Sequence, residues 1–174
     1  ILFILWATLG SVYVVVIVFI QRIFESVVKD LGLLAVFLGC GLLAGSLLYG
    51  KIGRKLPYLK AIFISLILSG LSLIAFTFTS YHFVSLRLAA AFSLILGMSI
   101  SPIMIASNTL VHELTNANMR GKIFTALEIV VHCAFLIFML IAASLAEYIG
   151  QFSILMSAGI FTCLFGVWGL VKKN

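Results

Sequence analysis

The sequence predicts an all-α integral membrane protein with six transmembrane helices. Three observations carry that reading. Apolar residues make up 64% of the 174 residues and charged residues only 9%, against about 25% charged in soluble domains. Several uncharged runs exceed the roughly 18 residues that mark a membrane span. The cations collect in the short links between those runs, where they set membrane topology. The net charge of +6 therefore forms no single basic face. That excludes nucleic acid as a partner and leaves the lipid bilayer.

The first span is residues 1–20, and about 20 residues at 1.5 Å rise cross about 30 Å of hydrocarbon. Thr8, Ser11 and Tyr13 are its polar members. Residues 21–30 (QRIFESVVKD) mix two cations with two anions. They form a water-facing link, partly helical, with Asp30 as the N-cap of the second span. That span is residues 31–49. Its Gly41 and Gly45 share one face, where a neighbouring helix can approach closely. A basic turn leads to the third span, residues 61–78. A polar link with Tyr81 and His82 leads to the fourth, residues 83–111, which is long for one straight span. Pro102 lies inside it, beside Ser99, Ser101, Ser107 and Asn108. Proline kinks a helix and frees a carbonyl, which in lipid must find another partner. The fifth span, residues 123–148, carries Glu128 and His132. A Gly150-Gln151 turn leads to the sixth, residues 152–171.

Eight of the eleven cations fall on one side of this hairpin series: Lys51, Arg54, Lys55, Lys60, Arg120, Lys122, Lys172 and Lys173. Arg22, Lys29 and Arg87 fall on the other. The richer side is the cytoplasmic one. Both ends then lie inside, as six spans require, and the expected location is a plasma membrane of bacterial inner-membrane type. The chain opens within an apolar run and without Met, so the reading is of a single six-helix unit belonging to a longer protein. Cys40, Cys133 and Cys163 lie in apolar runs and read as packing residues. No cofactor or metal is implied: His112-Glu113 lacks a second His at metalloprotease spacing.

The basic turn carries a resemblance. Ser46, Gly50, Lys51, Gly53, Arg54 and Lys55 are similar to the loop between the second and third helices of a six-helix half of the major facilitator superfamily. That pattern has a small residue, three apolar residues, an acid, a cation, any residue, Gly and two cations. Gly50 stands at the acidic position, a departure from it. Asn118-Met119-Arg120-Gly121-Lys122-Ile123-Phe124 resembles the segment that opens the fifth helix. The resemblance implies two inverted three-helix repeats. Helices one, two, four and five would line a central path, with three and six outside. The missing acid, the internal start and the basic stop favour the C-terminal half, with an N-terminal six-helix half as partner. The subtype most resembled is the bacterial drug or macrolide exporter or the lysophospholipid carrier.

Lys51, Arg54 and Lys55 are suited to helix-end carbonyls, acidic neighbours and lipid phosphates, and Gly53 to a tight bend. Those contacts make Ser46, Gly50, Lys51, Gly53, Arg54 and Lys55, with Arg120, Gly121 and Lys122, candidates for a conformational gate. A plain positive-inside anchor is the alternative. Glu128 and His132, four apart, share a helix face. An ionisable pair inside a span is costly and is a candidate proton relay, though a pairing of Glu128 with the basic loops stays open. Ser99, Ser101 and Asn108 at the Pro102 kink, and Tyr13, are candidates for the substrate path. Serines that bond back to their own helix are the alternative.

The function expected is secondary active transport of a lipophilic or amphiphilic small molecule by alternating access, as proton-coupled export through an antiporter. A membrane scaffold without transport is the second reading. An intramembrane protease built on Ser99 and His132 is the third. It is disfavoured because Ile100 stands where rhomboid-like enzymes have Gly, and because the His lies one helix too early.

Overall fold

The computed structural model describes residues 2–23, 27–53, 56–116 and 119–172. Among them the chain forms six α-helices: α1 (Leu2–Ile23), α2 (Val27–Ile52), α3 (Tyr58–Phe83), α4 (Leu86–Leu114), α5 (Arg120–Ile149) and α6 (Gln151–Val171). All six are long and apolar enough to cross a membrane. Only helices satisfy every backbone group within one segment, so apolar runs of this length in lipid have no other local structure open to them.

The helices run past the apolar stretches at several ends. Asp30 is not an N-cap outside α2; it lies in the first turn and is buried. Tyr81 and His82 belong to α3 rather than to a link, with Tyr81 stacked on Phe152 of α6 at 4.7 Å. Helix α4, with 29 residues, is about 43 Å long and outreaches a bilayer core of about 30 Å. Polar side chains at the water boundary do not stop a helix whose next turn still has a neighbour to pack on.

Two three-helix units interlock. The second helix of each packs along the first helix of the other, α2 on α4 and α5 on α1. The third helix follows the same exchange, α3 on α4 and α6 on α1, and α3 and α6 pack on each other. Helices α1 and α4 run in opposite directions, so the units are inverted repeats. The α3–α6 contact shows the relation at residue level. Gly70 faces Cys163 and Gly159, while Gly159 faces Ile74 and Gly70. Two apolar clusters fill the interior. Val15, Phe19, Leu34, Phe76, Ala89 and Leu155 pack at one end, and Leu5, Ile62, Leu66, Ile103 and Ala106 at the other.

Glycine sets the closest helix approaches. A Cβ on Gly97 would land on the Leu38 carbonyl, one on Gly41 on the Leu94 carbonyl, and one on Gly10 on the Phe135 carbonyl. Pro102 removes the amide that would bond the Met98 carbonyl. Gly45 of α2 packs on that oxygen, and a Cβ there would stand 2.6 Å from it. The Gly45 Cα hydrogen therefore points at the freed acceptor, a weak Cα–H···O contact that keeps it out of lipid.

The α3–α4 link is short and strained. Val84 adopts φ 44°, ψ 40°, the left-handed region that a β-branched residue avoids. Gly150, at φ 88°, makes the α5–α6 turn without that penalty.

Melting curves in detergent test these contacts. Gly97→Ala is expected to lower the melting temperature, at a cost of about 1–3 kcal/mol for forcing α2 and α4 apart. Gly39→Ala meets open space, and is expected to leave the melting temperature unchanged or raise it by the helix propensity gain of up to about 1 kcal/mol. Val84→Gly is expected to stabilise by about 1 kcal/mol through release of the left-handed strain. An unchanged or lower value would show that the strain is absent.

Candidate functional site

Pairing of α2 with α4 and of α1 with α5 leaves α1 and α4 unpaired with each other along most of their length. A groove of about 470 Å³ opens between them. Leu9, Val12, Tyr13, Val16 and Ile20 of α1 form one wall. Leu34, Ala35, Leu38 and Leu42 of α2, with Ser93, Leu96, Ile100 and Met104 of α4, form the other. Leu73 and Phe76 of α3 make the floor, and Phe135 of α5 stands on the rim. The lining is almost wholly apolar, with Tyr13 and Ser93 as its hydroxyls. The volume lies within the roughly 300–1,000 Å³ of small-molecule sites.

At the α1–α5 side of this groove, aromatic rings form a seam of a four-ring chain and a separate pair. Tyr13 packs on Phe135 at 5.7 Å, Phe135 on Trp6 at 6.1 Å, and Phe3 on Phe138 at 6.3 Å. Trp6 also lies over the His132 imidazole, with centroids 5.2 Å apart and planes 36° apart. His132 Nδ1 is 2.8 Å from the Glu128 carbonyl oxygen and 3.2 Å from Glu128 Oε2. A carbonyl only accepts, so this geometry assigns the ring proton to Nδ1. Both side chains are more than half exposed within this chain, 58% for His132 and 61% for Glu128. They stand on the open face, not in the interior.

Asn108 joins Glu128. Both line a recess of about 40 Å³ with Leu2, Trp6, Met104, Leu127 and Val131. A recess of that size, with the Asn108 and Glu128 side chains on its wall, has room for one water. Met104 is shared between the recess and the large groove, so the two adjoin.

The structure separates the other sequence candidates from this place. Ser99 is 1% exposed, and its Oγ donates to the Ile95 carbonyl at 2.8 Å. Ser101 is also buried in the packing of α4. Neither lines the groove or the recess. Ser99 bonds Ile95, while His132 contacts Glu128 and Trp6, so no serine–histidine pair forms. The carbonyl freed by Pro102 is turned to Gly45 rather than to the groove.

At the far end of the bundle, Arg54 and Lys55 of the basic turn, and Asn118 of the fifth-helix segment, lie outside the described residues. Ser46 Oγ donates to Leu43 O at 2.8 Å. Gly50 and Lys51 are exposed in the last turns of α2. Gly53 does not take a positive φ, which among the described glycines only Gly150 does. Its lack of a side chain admits the Tyr49 ring instead. The turn closes with Leu56 N–H on the Gly53 carbonyl at 3.0 Å. Arg120 Nε donates to Thr115 O at 3.4 Å, and Gly121 and Lys122 are exposed. Tyr58 Oη donates to Glu113 Oε1 at 2.9 Å and ties the start of α3 to the end of α4.

Sequence reasoning passed over Trp6, Phe135, Ser93 and Met104. The signal was there for α1: Leu2, Trp6, Leu9 and Tyr13 recur at helical spacing. For α4 and α5 it was absent, because nearly every residue is apolar and no face stands out.

No curated protein and no solved structure matches the chain. A family model does, over residues 1–173. With six apolar helices in two inverted units around an open groove, this match shows that the chain belongs to the Major Facilitator Superfamily, whose members carry small molecules across lipid bilayers.

Proposed function

We propose that the chain forms the C-terminal half of a proton-coupled exporter of lipophilic or amphiphilic small molecules. The observation that carries this reading is the apolar groove of about 470 Å³ with Glu128 and His132 on its α1–α5 flank. Apolar walls suit a greasy solute, and Tyr13 and Ser93 supply the few polar contacts that orient it. An N-terminal six-helix half would cover the open face and complete the path. Rocking of the two halves would expose the groove to either side in turn.

Glu128 is the proposed proton carrier. His132 fixes the carboxylate's rotamer through Nδ1, and Trp6 backs the imidazole. Asn108 lines the same water-sized recess, and a water there would complete the route for the carboxyl's proton. The proposed cycle loads Glu128 from one side and releases the proton on the other as solute moves the opposite way. The basic turn is the proposed gate at the cytoplasmic end, with Lys51, Arg120 and Lys122 beside the link termini.

Transport by the full-length protein in proteoliposomes, across a panel of amphiphiles with and without a proton gradient, tests the reading. Gradient-dependent flux of at least one compound is expected, and absence of such flux for all of them would sink it. Glu128→Gln is expected to abolish the gradient dependence while leaving solute binding in place. Ala35→Trp, which fills the groove, is expected to weaken binding itself. For the gate, Gly50→Asp meets no steric obstacle and restores the acid of the family pattern. It is expected to change the rate of flux and not the affinity; an unaltered rate would reduce the turn to an anchor.

A further inference from the structure

A second apolar groove, of about 570 Å³, runs along the other side of the α2–α4 pair. Leu33 and Phe37 of α2 form one wall, Ala90 and Ala91 of α4 its narrow part, and Ile95 its inner end. Arg87 stands at its mouth. The solute groove takes Leu34 and Leu38 from α2 and Ser93 and Leu96 from α4. The outer groove lies roughly a third of a turn away around both helices, so the two open on different faces. It plays no part in the transport reading and does not rest on it.

Length and charge identify an occupant. Arg87 is the second residue of α4, a helix that outreaches the bilayer core, so its guanidinium sits at the depth of lipid headgroups. Eight residues separate Arg87 from Ile95, about 12 Å of helix, close to the roughly 15 Å of one leaflet's hydrocarbon. Arg87 is exposed and forms no salt bridge among the described residues. Ser85, at the N-cap of α4, makes no side-chain cap bond, so first-turn amides beside Arg87 remain open to an external acceptor. Ala90 and Ala91 are the small residues that let a chain lie between the helices. A cation at headgroup depth, above an apolar slot one leaflet long, matches a phosphate joined to an acyl chain.

We propose that the α2–α4 groove binds one anionic phospholipid, with its phosphate on Arg87 and one acyl chain laid along Phe37 and Ala91 toward Ile95. The lipid fills the furrow that Leu33 and Phe37 form with Ala90, Ala91 and Ile95. It thereby braces the Gly41–Gly97 contact from outside.

Native mass spectrometry of the full-length protein in mild detergent, titrated with phosphatidylglycerol and with phosphatidylcholine, tests this. Wild type is expected to bind one phosphatidylglycerol in preference to phosphatidylcholine by roughly fivefold, the weight of one interfacial cation. Arg87→Gln should erase the preference and Arg87→Lys should keep most of it. Ala91→Phe, at an exposed position that leaves the core intact, should weaken both lipids alike. Retention of the preference in Arg87→Gln overturns the headgroup assignment. Unchanged lipid binding in Ala91→Phe overturns the acyl-chain assignment, and displacement of the lipid by inorganic phosphate at equal concentration overturns both.

Discussion

Backbone contact at glycine is the constraint on which the rest of this fold depends. Lipid tails are as apolar as leucine, so helices in a bilayer gain little from burying apolar side chains against each other. What remains is dispersion at close range and weak polar contact between backbones. Here α2 and α4 touch through Gly41, Gly45 and Gly97, with the carbonyls of Leu38, Leu94 and Met98 against them. Gly10 on the Phe135 carbonyl does the same for α1 and α5. The two contacts are counterparts in the inverted repeats. Each locks the second helix of one unit to the first helix of the other, so neither unit is complete alone.

The site arises from that locking. Because α2 is held to α4 and α5 to α1, the first helices of the two units stand apart, and the gap between them is the apolar groove. The Gly10–Phe135 contact sits inside the aromatic seam. It sets the depth at which Trp6 meets His132, and so where Glu128 faces outward. Pro102 fits the same logic. A kink in α4 would expose a carbonyl to hydrocarbon, and Gly45 absorbs it without a side chain in between. The proline is thus part of the α2–α4 packing, and the carbonyl it frees is turned to Gly45 and not to a solute.

How far the sequence could be read depends on which forces were local. The six spans were legible because an uncharged run of about 20 residues has one solution in lipid. Their ends were not, since Lys29, Asp30, Tyr81 and His82 are compatible with either a link or a last turn. Tertiary contacts such as Tyr81 on Phe152 decide between these. Glu128 and His132 stood out because ionisable groups are rare in spans, and their i, i+4 spacing already implied the contact seen. Asn108 could be named but not joined to Glu128, because the link between α4 and α5 hides which faces meet. Ser99 and Ser101 line neither the groove nor the recess. Ser99 satisfies its hydroxyl on the Ile95 carbonyl a turn below, and a serine that can do so says little by itself about a path.

The basic end of the bundle shows charge working against helix stability. Arg120 and Lys122 occupy the first turn of α5, where the macrodipole is positive and cations are disfavoured. Lys51 occupies the last turn of α2, where a cation is favoured. A sequence chosen for helix stability alone would not place three cations so that two oppose the dipole. The two that oppose it keep a charge on the same side of the bundle as Lys51, so side, rather than helix end, is what their placement obeys. Arg120 recovers part of the cost by donating back to Thr115 across the link. Tyr58 on Glu113 ties α3 to α4 at the same end without any cation.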